Sequence, residues 1–120
     1  MMATGARLSD VWRYCVVQLL DDYMSELQHH GSETAARMWQ RPPALTGDSR
    51  IDAAFAALAE HCARHDGSRV PAWAADPARE ASEWWFVTDL RGLHPTALVE
   101  SPLSFRKRGV FITRDALVRV

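Results

Sequence analysis

Long apolar runs are missing from this sequence. No stretch approaches the roughly 18 consecutive apolar residues of a membrane-spanning helix, and the first residues lack the charged, apolar and small segments of a secretory signal. The sequence therefore predicts neither membrane insertion nor secretion. We expect a protein of the cytoplasm that does not bind membranes.

Cysteine is also scarce. The two cysteines, Cys15 and Cys62, are far apart, and each lies inside an apolar helical pattern. This arrangement predicts two small buried side chains in place of a disulfide or a metal site. It also fits a reducing compartment, because small secreted domains that depend on disulfides carry more cysteine.

The sequence lacks the motifs that assemble catalytic sites. Its six glycines stand singly, so no glycine-rich loop is present to hold a phosphate group. Ser101 and Ser104 have no elbow glycines around them, and no histidine or carboxylate is placed by sequence to activate either hydroxyl. Acidic pairs such as Glu80 and Glu83 have the spacing of solvated helix faces. We therefore predict a protein that is not an enzyme and needs no cofactor.

Charge of one sign is not in excess. The 120 residues carry 14 basic and 15 acidic side chains, a formal net charge of −1, so no global charge draws the chain toward nucleic acid. Apolar residues make up 48% and charged residues 24% of the chain, as is typical of a globular protein with one hydrophobic core. We predict a single domain over residues 1–120, with a frayed start at residues 1–7.

A long amphipathic helix is predicted near the start of the chain. From Ser9 to His30 apolar residues recur every three or four positions, and Gly31 follows as a stop. Ser32 is expected to cap a second, shorter helix through about Gln40. The prolines that come next disfavour helical backbone in the residue before them, so this helix should end there.

A third helix is predicted to begin at Ser49, which together with Asp52 resembles a capping box, and to end at Gly67. Its alanine-rich sequence allows another helix to approach closely. Short helical segments are expected to begin at three polar residues: Asp76, Thr88 and Ser101. A last helical turn is expected from Thr113 to Val118.

Strand character is confined to residues 110–112, and these three residues have no evident pairing partner. We therefore predict an all-α fold. It should be a compact bundle of about three longer helices, several short helices and proline-rich connections, with at most one very short strand.

Three of the five tryptophans lie in the second half, and two of them, Trp84 and Trp85, are adjacent. They cannot both face one core, because neighbouring side chains diverge in helices and in strands. Pro77, Ala81 and Trp84 share helical spacing, which predicts Trp84 as the core member. Trp85 is then predicted at the surface, with Arg106 as a cation–π neighbour.

His61 and His65 are four residues apart on one predicted helix face, which is the spacing of zinc ligands in helical metalloproteases. Cys62 stands where the water-activating glutamate of that motif would follow the first histidine, and no third ligand is placed. We interpret the pair as solvated side chains near a helix end and predict no metal.

The densest positive cluster is Arg106, Lys107 and Arg108. A solvated basic face near a helix C-terminus is the first interpretation, and docking onto an acidic partner is the second. Contact with nucleic-acid phosphates is conceivable. However, three cations without a recognition helix or a stacking surface do not form a nucleic-acid module.

Five segments of the last half form a distinctive set: VPAW at 70–73, DP at 76–77, WWF at 84–86, LRGL at 90–93 and SPLSFRKRGVFI at 101–112. Together they resemble a small-domain family of high-GC bacteria. Its members occur alone or behind a helix-turn-helix domain and resemble antitoxin or regulator proteins, some encoded beside nucleotidyltransferase-like toxins. The resemblance implies no catalytic residues, and this chain lacks a recognisable helix-turn-helix.

We therefore predict a non-catalytic protein-binding module, an antitoxin-like neutraliser or the partner of a regulator, that acts by steric docking. Its partner should be another protein, with a nucleotidyltransferase-like toxin as one candidate, and nucleic acid is not expected for this chain alone. The alternatives are a DNA-binding regulator and a small metal-dependent enzyme built on the two histidines. The predicted partner-binding residues are Trp85, Arg106, Lys107 and Arg108.

Overall fold

A computed structural model describes residues 12–87 and 91–117. Three elements form its first half: a π-helical turn at Trp12–Val17, helix α1 at Gln18–Ala36 with a 3-10 turn at Arg37–Trp39, and helix α2 at Ser49–Asp66. Shorter elements follow: 3-10 turns at Ala72–Ala75 and Pro77–Arg79, strand β1 at Trp85–Phe86, a 3-10 turn at Arg91–Leu93, helices α3 at His94–Glu100 and α4 at Leu103–Arg106, strand β2 at Val110–Phe111, and a 3-10 turn at Arg114–Leu117. The fold is mostly helical, which confirms the all-α class.

Helix α2 is the element that the others surround. Each of its residues from Ile51 to Glu60 is buried, so the helix has no solvent face over nearly three turns. Its alanines are small enough for neighbours to approach on several sides, as the sequence predicted. The π-helical turn, helix α4 and the 3-10 turns at Ala72–Ala75 and Pro77–Arg79 all pack against it.

Both ends of α2 are set by local side-chain chemistry. Asp48 is the N-cap, because its carboxylate accepts a hydrogen bond from the backbone N–H of Arg50 at 2.9 Å. The predicted cap, Ser49, is therefore one residue too late. Asp52 does not complete a capping box; it accepts from the backbone N–H and the hydroxyl of Thr46, which ties down the preceding loop. Gly67 ends the helix in the left-handed conformation, as predicted.

The predicted break between the first two helices is confirmed at Gly31, whose φ of +88° interrupts α1. Helical backbone resumes at Ser32 and passes into the 3-10 turn that ends at Trp39. The predicted helix start at Ser9 and the frayed start at residues 1–7 lie outside the described residues.

The strand at 110–112 has a partner that sequence analysis missed. Strands β1 and β2 pair in parallel, with Trp85 opposite Val110 and Phe86 opposite Phe111. The fold therefore contains two very short strands where at most one was predicted. Strand β1 was missed because Trp84 was assigned to a helical pattern with Pro77 and Ala81, although tryptophan and phenylalanine favour strands.

Ser101 closes the other edge of β2. Its hydroxyl accepts from the backbone N–H of Ile112 at 2.8 Å and lies 2.6 Å from the carbonyl oxygen of Ala97. The prediction that Ser101 caps the following helix is wrong, since no side-chain bond caps α4. The hydroxyl instead satisfies a backbone group of the sheet, which binds α3 to β2.

Other short segments agree with the sequence in part. Asp76 caps its turn through the backbone N–H of Ala78, as predicted, but the turn ends already at Arg79. A short turn also follows Thr113, whereas Thr88 and Val118 lie outside the described residues. No helix in the described part of the chain is long and apolar enough to cross a membrane.

Candidate functional site

The predicted divergence of the adjacent tryptophans is confirmed, but the assignment of the two side chains is wrong. Trp85 is 7% exposed and Trp84 is 70% exposed. The Trp85 ring packs edge-on against Trp12 with the ring centroids 6.0 Å apart. The segment forms a strand instead of a helix, so the face of each side chain follows from pairing with β2. Trp85 pairs with Val110, which belongs to the same buried core.

Trp84 is the first of four aromatic rings that contact one another in sequence beside the small sheet. Its ring meets Phe111 edge-on at 5.0 Å, Phe111 stacks on Phe86 at 5.0 Å, and Phe86 stacks on His94 at 4.3 Å between centroids. We call Trp84, Phe111, Phe86 and His94 the aromatic row. Three of its members are buried or half-buried, so the row backs the exposed ring of Trp84 with a rigid base.

Gly109 lies close to the Trp84 ring. A Cβ atom added at Gly109 would lie 3.5 Å from Cδ1 of Trp84, and φ at Gly109 is +80°, a conformation that glycine adopts without strain. The backbone N–H of Trp85 also donates to the carbonyl of Gly109 at 2.8 Å. The turn between α4 and β2 therefore positions Trp84 directly.

The predicted basic cluster is split by the structure. Arg108 is 5% exposed and donates from Nη1 to Glu60 at 2.7 Å and from Nη2 to the carbonyl of Ala74 at 2.8 Å. Lys107 donates from Nζ to the same carboxylate at 2.9 Å. Arg106 and Lys107 are both exposed, and Arg106 is the one of the three that forms no ion pair with the described residues. Arg108 is buried against Glu60 and is not exposed to a partner, whereas Lys107 binds the same carboxylate but remains at the surface.

Glu60 is the residue that sequence reasoning missed. It is 3% exposed in the middle of α2, and Arg64 adds a third cation at 2.7 Å. A carboxylate inside an otherwise buried run of alanine and apolar residues was the available signal, since such a group is retained only when it is paired. Glu60 and its three cations line a cleft of about 370 Å³ and bind α2 to the turn after α4.

Burial raises the pKa of Glu60, but the hydrogen bonds from Lys107, Arg64 and Arg108 outweigh it and lower the pKa to about 2 from the ordinary 4.5. A carboxyl group whose pKa is depressed in the folded state stabilises the fold above its unfolded pKa and loses that effect as the pH falls. The group is therefore ionised at neutral pH and acts as a structural cross-link.

We expect the stability difference between the protein and its Glu60→Gln variant to narrow as the pH falls from 4.5 toward 2. Protonated Glu60 resembles glutamine, so both proteins then lack the buried carboxylate. Urea denaturation at a series of pH values measures the difference, and comparing the two proteins cancels the titration of all other groups. A difference that stays constant over this range would show that Glu60 does not contribute through its charge.

The two histidines of the metal hypothesis face different surroundings. Their ring centroids are 6.4 Å apart; His61 is half-buried against Phe105, and His65 is exposed and bonded to Asp66 at 3.0 Å. Burial, and then the neighbouring His65, lowers the pKa of His61. Among the described residues no group of three or more His, Cys, Asp or Glu side chains is placed to hold a metal ion.

Cys62 lies beside the histidines and is buried, as predicted. Burial raises the pKa of its thiol to about 12, which keeps the sulfur protonated and unreactive at neutral pH. The Tyr23 hydroxyl donates to Asp66 at 2.5 Å across the same small cleft of about 120 Å³. This bond joins α1 to the end of α2. The side chain of Cys15 lies outside the described residues.

Comparison with known proteins found no match in a scan of protein-family models, in a search of curated proteins or in a search of solved structures. Function is therefore inferred from the side chains of this chain. The two features that stand out are an exposed, rigidly backed tryptophan and a buried carboxylate that binds three cations.

Proposed function

We propose that this chain is a non-catalytic protein-binding module and that Trp84 anchors its partner. The observation that carries the proposal is the ring of Trp84, which is 70% exposed although its inner edge rests on Phe111 and Gly109. Tryptophan is among the residues that most often dominate interface energies. A ring already held in place loses little conformational entropy when a partner covers it, so its apolar area contributes more fully to affinity.

Arg106 is an exposed cation at the start of the turn that leads to Gly109, which lies close to this anchor. It lies in α4, and its carbonyl accepts from the backbone N–H of Gly109, the residue that touches Trp84. An exposed cation at the rim of an interface speeds association and orients the partner more than it adds affinity. The partner surface should therefore offer an apolar pocket for the indole with acidic groups beside it.

The family resemblance adds a finer proposal, in which the partner is a toxin such as a nucleotidyltransferase and this chain neutralises it by covering its surface. The mechanism is steric, so no bond is made or broken. Contact with DNA is less favoured, because Arg108 is buried and Lys107 is engaged with Glu60, which leaves Arg106 as the one cation of the three without an ion pair among the described residues.

We expect Trp84→Ala to weaken binding to the protein encoded by the adjacent gene about 30-fold or more, as truncation of a hot-spot residue does. Isothermal titration calorimetry with both purified proteins measures the affinity. The free energy of unfolding should fall by no more than about 1 kcal/mol, since most of this side chain is already solvated.

Met24→Ala is the matched control, because Met24 is another large exposed apolar residue and lies on α1. It should leave the affinity unchanged. Unaltered binding by Trp84→Ala would remove Trp84 as the anchor. Failure of the normal chain to bind the neighbouring gene product would remove the toxin-directed form of the proposal.

A further inference from the structure

A second candidate site lies away from the aromatic row. It is an open groove of about 810 Å³ between the turn at Arg37–Trp39 and the extended segment at residues 69–73. Two tryptophans, Trp39 and Trp73, form part of its lining, and two arginines, Arg37 and Arg69, stand beside them. The volume lies within the range of pockets that bind small molecules or short peptide segments.

The tryptophans of this groove are held rigidly. Nε1 of Trp73 donates to the carbonyl of Trp39 at 2.6 Å, and the guanidinium of Arg79 lies over the Trp73 ring, 5.0 Å from its centroid. The Trp39 ring packs against Tyr23 at 5.5 Å between centroids. These contacts fix the groove before any ligand arrives, which favours binding because fewer groups must be ordered.

Trp39 carries an unsatisfied hydrogen-bond donor. The side chain is 3% exposed, and its Nε1 has no acceptor among the described residues. Buried indole N–H groups usually find a partner, and a native structure that leaves one unpaired calls for a specific reason. The nitrogen is enclosed by the protein, so this donor alone does not indicate a ligand in the open groove.

The charges of the groove favour a negative ligand. Arg37 and Arg69 are exposed, and neither guanidinium forms an ion pair or hydrogen bond with the part of the chain that the structure describes. Glu33 also lines the groove, so these three side chains sum to one positive charge. A guanidinium presents a planar fork of donors that matches a carboxylate.

We propose that this groove binds an extended acidic segment of a peptide or protein. Aspartate or glutamate side chains of that segment pair with Arg37 and Arg69, which flank the two tryptophans of the groove. Glu33 makes a phosphorylated ligand less favourable in this groove than a ligand with carboxylates. It repels any anion, but it repels the more concentrated charge of a phosphate group more strongly than the charge of a carboxylate.

The test uses the full chain and two capped synthetic peptides of equal length, one of alternating glutamate and glycine and one with glutamine in place of glutamate. Tryptophan fluorescence and calorimetry follow the titrations. We expect the glutamate peptide to bind at least about tenfold more tightly than the glutamine peptide, and its affinity to fall as salt screens the charges.

Variants locate the bound peptide. Arg37→Gln combined with Arg69→Gln should weaken binding of the glutamate peptide roughly tenfold, whereas Glu33→Gln should strengthen it because a like charge is removed. Thermal melts establish that each variant is folded before it is titrated.

Arg106→Gln and Trp84→Ala serve as controls for the other surface and should leave peptide binding unchanged, so this site and the Trp84 anchor are tested independently. Equal affinity for the two peptides, or full binding by the double arginine variant, would overturn the proposal. Displacement of the glutamate peptide by low concentrations of inorganic phosphate or of a single-stranded oligonucleotide would assign the groove to phosphate groups and equally overturn it.

Discussion

Trp85→Ala is expected to lower the free energy of unfolding by about 3–5 kcal/mol, the usual effect of removing a buried tryptophan. The side chain is 7% exposed, packs edge-on against Trp12 and lies opposite Val110 in the sheet. Its loss would leave a cavity between α2 and the sheet that the small alanines of α2 cannot fill. A loss of this size is a large share of the total stability of a small domain.

Chemical denaturation measures the free energy of unfolding of Trp85→Ala and of Trp84→Ala, and comparing the two variants tests which ring is buried. Both variants remove the same atoms from adjacent positions, and only the burial of the two rings differs. Trp84→Ala should lose no more than about 1 kcal/mol. Similar losses in the two variants would mean that the sheet does not separate the tryptophans as described.

Glu60→Ala should cost about 3–5 kcal/mol, because it leaves the guanidinium of Arg108 buried without its carboxylate. Arg108 would retain its bonds to the carbonyls of Ala74 and Ser104, but these carry no full negative charge to balance it. Thermal and urea denaturation at neutral pH measure the loss. Glu80→Ala is the matched control, since Glu80 is an exposed carboxylate of the same cleft, and it should change stability by less than about 0.5 kcal/mol.

Coupling between the two buried charges can be measured with the Arg108→Met variant. The double variant Glu60→Ala, Arg108→Met should be less destabilised than the sum of the single variants, with a coupling of about 0.5–3 kcal/mol. The second substitution removes the charge that the first one leaves unpaired. Additive losses would mean that the pair contributes nothing beyond the packing of its two side chains.

The helical architecture was predictable because its signals are local. Apolar residues at helical spacing, a glycine in the left-handed conformation at Gly31 and another at Gly67 act through residues within one or two turns. Errors at this level were small: Asp48 takes the capping role predicted for Ser49, because both side chains can cap and only the path of the loop decides between them.

The candidate site was less predictable because its geometry depends on distant pairing. Divergence of Trp84 and Trp85 follows from backbone geometry alone, but which ring is buried depends on the face that β1 turns to the core when it pairs with β2. Because we assigned this segment to a helix, we predicted that Trp84 is buried and Trp85 is exposed, which is the reverse of the structure. A two-residue strand has too few residues to show the alternating pattern that would have corrected it.

The sequence by itself determined the all-α class, the positions of the two long helices, and the requirement that adjacent tryptophans face opposite ways, since each depends on neighbours along the chain. Only the tertiary structure decided that Arg106 remains at the surface while Lys107 and Arg108 bind Glu60. The sequence alone does not distinguish the surroundings of these three consecutive cations. In the folded chain these surroundings differ, because the buried carboxylate on α2 lies within hydrogen-bond reach of two of them and binds both.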